Sequence, residues 1–180
     1  KNPSSTSGAL TITGTNVYFG GSTYASGSSG GKVSAKAKEL IVLDSSVVAK
    51  GLKENGGDLM VISEDVLLST ARTNVDMSGS VNGGSVKLHA NNHNLAAGTF
   101  KADGNSSQGG NIDFAGQNVR LASADISAKG ISQGGKVRIG GEYLGGQQLS
   151  TISQKEYDGF INRYKNKSEI INSQNTIVDY

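Results

Sequence analysis

The sequence predicts an all-β fold, a parallel β-helix in which the chain winds through stacked coils. Pairs of adjacent glycines recur at spacings of 26, 27, 26 and 25 residues, and so regular a period is typical of repeat architectures. An aliphatic residue stands two positions after each pair, and short runs of alternating apolar and polar residues follow, which indicates strands. The pairs are Gly30-Gly31, Gly56-Gly57, Gly83-Gly84, Gly109-Gly110 and Gly134-Gly135.

Each period contains three short alternating segments, and each segment turns two residues to one face. In the coil that starts at Gly109-Gly110, the second segment turns Val119 and Leu121 inward. The coils from Gly30, Gly56 and Gly83 fit at equal offsets if two extra residues are allowed around Thr70 to Thr73. At those offsets the inward residues of the second segment are Leu40, Val42, Val66, Leu68, His93 and Leu95.

The first and third segments follow the same alignment. An earlier coil, from Leu10 to Gly27, fits with one deletion and turns Val17 and Phe19 inward in its second segment. Alanine ends the third segment in most coils and Met77 replaces it in one, beside the extra residues, where we expect it to be accommodated. The glycines are predicted to form corners that need positive φ. The inward residues of these two segments are Leu10, Ile12, Thr23, Ala25, Val33, Ala35, Val47, Ala49, Leu59, Val61, Val75, Met77, Val86, Leu88, Phe100, Ala102, Ile112, Phe114, Ile126 and Ala128.

A single coil cannot bury its own inner face, whereas stacked coils share one core and pair each strand with its equivalents above and below. We therefore predict about six coils of 23–27 residues with a triangular cross-section. The period does not decide the handedness. The hydrophobic content of 35% suits a thin core.

Composition excludes several classes of protein. The net charge of +2 comes without a basic block, so nucleic-acid binding has no support, and no apolar run reaches the length of a membrane span. Cysteine is absent, so repetition must supply the stability that disulfides give elsewhere. We expect no cofactor and no metal.

Candidate chemistry is sparse. On the outer side of the first strands, Lys32 is predicted to stack beside Asp58, and Lys87, Asp113 and Arg138 to form an alternating ladder, which is ordinary stabilisation of a sheet. No two carboxylates are adjacent in these columns, so catalysis is not expected. A buried imidazole, hydrogen-bonded to a neighbouring asparagine, is predicted at the inward position of His93.

Outward positions of the first coils carry apolar residues where polar ones are expected. Such a patch marks a contact surface, covered by a partner protein, by another part of the parent protein, or by the chain's own excursion at 146–170. That excursion places aromatic residues at i, i+3 and i+7, which suits one face of a short helix. The candidate binding residues are Tyr18, Tyr24, Ile41, Val48, Leu67, Tyr157, Phe160 and Tyr164.

The strings GGKVRIGGEYLG at 134–145 and ISAKG at 126–130 resemble repeats of filamentous-haemagglutinin-type exoproteins of bacterial two-partner secretion. The resemblance implies a right-handed helix, secretion to the surface of a Gram-negative bacterium through an outer-membrane transporter, and a role in cell adhesion and virulence, as an adhesin or the stalk of a contact-dependent toxin. It implies repeat coils over 1–145, an extra-helical excursion over 146–170, and a returning strand over 171–180.

The expected function is therefore that of a stiff structural and adhesive shaft. The alternative is a binding module that contacts a host or target-cell protein or glycan through the apolar patch or the excursion. A third, less favoured hypothesis is a carbohydrate-active β-helix enzyme.

Overall fold

The computed structural model describes residues 7–140 and shows a right-handed parallel β-helix of about five turns, with no helical segment in this range. All strand pairings in it are parallel. The all-β fold predicted from the glycine period is thus confirmed. The strands are β1 (Ala9–Tyr24), β2 (Lys32–Val48), β3 (Asp58–Ser63), β4 (Val66–Ser69), β5 (Asn74–Asp76), β6 (Ser85–Ala90), β7 (His93–Lys101), β8 (Asn111–Ala115), β9 (Asn118–Ser127) and β10 (Lys136–Ile139).

Three sheets run along the stack, and β2 shows how one coil contributes to all of them. Its first part, Lys32–Ala37, pairs with β3; its middle, Leu40–Leu43, pairs with β4; and its end, Ser46–Val48, pairs with β5. We call these the first, second and third sheets. The described residues form five coils and, with β10, the first strand of a sixth.

The core predicted for the first and third segments is confirmed from the second coil to the fourth. The side chains of Val33, Val61, Val75 and Phe100 are at most 1% exposed, and Met77 is fully buried in its alanine column. The rings of Phe100 and Phe114 meet edge to face with centroids 5.0 Å apart. In the outermost coils Leu10, Ile12, Ile126 and Ala128 are partly buried against this core.

The second segment has the opposite phase in three coils. There the core contains Ile41, Leu43 and Leu67 rather than their neighbours. The predicted inward positions are therefore wrong for these coils, and they are right for Val17 and Phe19 in the first coil and for Val119 in the fifth. The residues predicted inward that alternate with this core, and so face away from it, are Leu40, Val42, Val66, Leu68, His93 and Leu95.

The cause is a one-residue difference at the first corner. Gly14 aligns with Ala37 but Asn16 aligns with Leu40, so the second coil holds an extra residue there. The fifth coil is again one residue shorter at that corner and recovers the residue after Leu121, where Ser123 has a φ of 51°. Residues at the same distance from a glycine pair therefore lie on the inner face of the second sheet in one coil and on its outer face in another.

The paired glycines are corners, but positive φ is not what they supply. Among the described glycines only Gly21, Gly98 and Gly140 have positive φ, so that prediction is wrong for the pairs. A Cβ on either glycine of the first four pairs would lie less than 3 Å from backbone atoms. In each corner the second glycine donates to the carbonyl of the residue that ends the third segment of the preceding coil, as Gly57 does to Ala49 at 2.8 Å. Glycine is needed because three stretches of backbone meet there.

Candidate functional site

The predicted apolar patch is not a single surface. Ile41 and Leu67 are fully buried in the core, so the prediction that they are exposed is wrong. Tyr18 is 45% exposed and Tyr24 is 75% exposed, and Tyr24 lies in register beside the half-buried Val48. Their binding role stays a prediction. The other three candidates, Tyr157, Phe160 and Tyr164, lie outside the described residues.

A polar cluster links three coils at the edge of the second sheet. We call it the Asp44 cluster: Tyr18, Asp44, Thr70 and Arg72. The Tyr18 hydroxyl donates to Asp44 Oδ2 at 2.7 Å, and Arg72 donates to the same carboxylate through Nε at 3.0 Å and through a second nitrogen. The Thr70 hydroxyl also donates to Asp44, whose side chain is only 5% exposed.

The Asp44 cluster holds its carboxylate charged. Burial raises the pKa of Asp44, but hydrogen bonds from Thr70, Tyr18 and Arg72, with the Arg72 charge, outweigh burial and lower it. The hydrogen bond to Asp44 raises the pKa of Tyr18. A charged, fully engaged carboxylate suits a cross-link between coils better than a proton donor.

The two extra residues of the third coil build half of this cluster. The sequence located them between Thr70 and Thr73, and the structure places a tight turn there, in which the amide of Thr73 donates to the Thr70 carbonyl at 2.9 Å. The Thr73 hydroxyl donates to the carbonyl of Leu43 in the coil below at 2.6 Å. Sequence reasoning located the insertion but not its bond to Asp44, because the partner lies 26 to 28 residues away.

The charged ladder on the first sheet is present in register, with a different set of bonds. Asp113 lies beside Lys87 on one side and Arg138 on the other. Its carboxylate accepts from Arg138 Nε at 2.8 Å and lies 3.0 Å from His89 Nε2. Burial raises the pKa of Asp113, and the bonds to Arg138 and His89 more than offset this, so the pKa is lowered.

A shallow cavity of about 450 Å³ lies on the outer side of the first sheet. Its charged lining residues are Lys32, Asp58 and Lys87, and Thr11, Ser34 and Met60 contribute neutral side chains. Asp58 is the one carboxylate among the described lining residues, whereas glycoside hydrolysis by the common route uses two flanking carboxyl groups.

In β7 the buried polar residue is Asn94, not His93. Asn94 is fully buried, and its Nδ2 donates to the carbonyls of Leu88 at 2.6 Å and Ala115 at 3.1 Å. The side chain therefore ties the end of the first sheet to the second sheet in two adjacent coils. His93 lies one position away on the outer side and is partly exposed, so its predicted inward position is wrong.

The second sheet also has an apolar outer side, which sequence reasoning missed. We call it the outer apolar face. A short apolar run in each strand, such as LIVL at 40–43, was the available signal, because a strand buried on both sides reads as continuously hydrophobic. The face consists of Leu40, Val42, Val66, Leu68 and Leu95, all between 0% and 3% exposed.

Within residues 7–140 no group of three or more His, Asp or Glu side chains is arranged to hold a metal ion. The same residues include no helix with the length and hydropathy of a membrane span. Comparison with models of protein families, with curated proteins and with solved structures gives no match for this chain.

Proposed function

We propose that this chain is a shaft segment of a large secreted bacterial surface exoprotein of the two-partner type, an adhesin or the stalk of a contact-dependent toxin. Its work is mechanical: it holds a binding region away from the cell and carries out no reaction. An outer-membrane transporter is the proposed export partner, and a host or target-cell protein or glycan is the proposed final contact of the parent protein.

The observation that carries this proposal is the continuity of the stack. The first five coils are joined each to the next in all three sheets, and the glycines at 27, 51, 79, 104 and 130 form a further column of backbone bridges. The core and the Asp44 cluster run parallel to that column. Stability in such a solenoid is approximately the sum of terms for single coils and their interfaces, so the element can be lengthened without redesign.

The ends of the described stack also favour a segment of a longer rod. The first-sheet part of β1 pairs only with β2, and β10 only with β8, among residues 7–140. Each therefore presents an edge that can accept a further coil in the same register. In an isolated binding domain such edges would promote association with other chains, whereas in a repeated shaft they pair with the next coil.

The test is export and display of the 180-residue chain behind the secretion domain of a two-partner system, with an epitope at its C-terminus and the cognate transporter present. A shaft is exported and presents the epitope, and a variant that duplicates residues 83–108 presents it equally well. The displaying bacteria should bind cultured host cells no better than bacteria that display the secretion domain alone. Failure of export, or saturable binding that the chain itself confers, would contradict the proposal.

Saturable binding would favour the second candidate, a binding module. The observation that favours this alternative is the exposure of Tyr18 and Tyr24 in the first coil. In that case the double substitution Tyr18→Ser and Tyr24→Ser removes the binding and leaves export intact. A shaft predicts that the double variant and the unchanged chain behave alike.

A further inference from the structure

The outer apolar face is covered, although no described strand lies over it. Its five side chains alternate with core residues and so face away from the core, yet none is more than 3% exposed. The contacts between the described strands join either neighbouring coils or strands that follow one another in the chain. Contacts among the described strands therefore do not account for the burial of this face.

We propose that the chain's own segment 146–170 docks on the outer apolar face and clamps the second to fourth coils together. This segment carries large apolar side chains at the spacing of one helix face, namely Tyr157, Phe160 and Tyr164. Residues 1–6, with the sequence KNPSST, offer no large apolar side chain for the same purpose.

The path of the chain fits this occupant. β10 ends at Ile139 in the first sheet, and Gly140 follows with a φ of 103° at the corner that leads toward the second sheet. The face extends over three coils, about 10 Å at the strand spacing of about 4.8 Å. A segment of this length spans that distance even when it is helical, at about 1.5 Å per residue.

Charge supports the same arrangement. Three acidic residues, Glu39, Glu64 and Asp65, and one basic residue, Lys38, lie at the corner beside the face in the second and third coils. The segment supplies Lys155, Arg163, Lys165 and Lys167 against Glu156 and Asp158 within thirteen positions, a net charge of +2. Basic side chains that flank an apolar stripe can therefore meet an acidic margin along one side of the face.

The experiment uses the full chain, whose lack of cysteine makes any introduced thiol unique. Val42→Cys places a near-isosteric probe on the face, and Leu52→Cys places a control at a residue that is 64% exposed. For each variant, the rate of maleimide labelling of the folded chain is divided by its rate in urea. This ratio should be at least about tenfold lower at position 42 than at position 52. Equal labelling of the two would overturn the proposal.

The segment itself is then tested by adding Tyr157→Ser, Phe160→Ser and Tyr164→Ser to each probe. Position 42 should become at least about tenfold more reactive while position 52 and the far-ultraviolet circular dichroism stay unchanged. Continued protection of position 42 would overturn the proposal, and a dimer on size exclusion would then identify a second copy as the cover.

A cross-linking experiment tests the same docking without the triple substitution, so its result does not depend on whether the triple variant folds. In the otherwise unchanged chain, Val42→Cys combined with Phe160→Cys should form an intramolecular product with a short bismaleimide. Leu52→Cys with Phe160→Cys is the matched control and should form little. No excess of product at position 42 would overturn the docking. The proposal is independent of export and adhesion, so its failure would leave the shaft function standing.

Discussion

At the scale of single residues, the corners show why the neighbouring backbone requires glycine. The first glycine of a pair donates its amide to a carbonyl one turn further along the stack, as Gly83 does to Gln108 at 2.9 Å, and the second donates to the residue that ends the preceding third segment. At both glycines, neighbouring backbone atoms lie too close to the position that a Cβ would take. The recurrence of the pair is thus a consequence of stacking, because every coil meets its neighbours at the same corner.

Gly83→Ala should therefore lower the free energy of unfolding by at least about 2 kcal/mol, because the added Cβ meets the backbone of Ala102 and Gly110, which cannot move aside. Gly134→Ala is the matched control at the same position of the pair. Its Cβ meets nothing within 4 Å, and its stability should change by less than about 0.5 kcal/mol. Urea denaturation measures both, and equal losses would contradict this account of the corner.

At the scale of elements, the second sheet is defined by its small irregularities. One residue gained at the first corner of the second coil moves Ile41 into the core, and the fifth coil loses it again at the same corner and restores the count with an extra residue at Ser123. A shift of one residue exchanges the two faces of a strand. The sheet tolerates the exchange because both of its faces are buried in the middle coils.

Ser123 has a φ of 51°, a left-handed conformation that is costly for most residues. Ser123→Gly should therefore raise the free energy of unfolding by up to about 1 kcal/mol, and Ser123→Val should lower it by about as much. Thermal and urea unfolding measure both. Ser34→Gly, in an extended strand, is the control and should be destabilising, so a gain there as well would refute the role of φ.

At the scale of the whole molecule, partly buried carboxylates bond neighbouring coils to one another. Asp44 joins the first three coils, Asp76 accepts from Lys50 at 2.8 Å, and Asp113 joins the fourth coil to β10. For Asp76, burial raises the pKa, and hydrogen bonds from Lys50 and Ser78 outweigh it and lower the pKa. All three carboxyl groups are therefore more acidic in the fold than the ordinary value of 3.8.

Stability should consequently fall in acid. A carboxyl group with a lowered pKa stabilises the fold fully above its unfolded value of 3.8, and this contribution is lost as the pH falls through the lower value in the fold. We expect the urea midpoint to be flat from pH 6 to 5 and to drop from pH 4 to 3. The triple variant Asp44→Asn, Asp76→Asn, Asp113→Asn should start lower and show a shallower drop. An equally steep drop would place the acid sensitivity elsewhere.

The sequence by itself determined the repeat, the parallel β-helix, the glycine corners, the inward residues of the first and third segments and the site of the insertion, because each of these recurs at a fixed distance along the chain. Only the tertiary structure decided the phase of the second sheet, the burial of Asn94 in place of His93, the Asp44 cluster and the outer apolar face. In a segment such as LIVL at 40–43 every residue is apolar, so alternation carries no information about which side is the core. The partners of Asp44 lie one coil away in either direction, and compensating one-residue shifts between coils become visible only when the strands are paired.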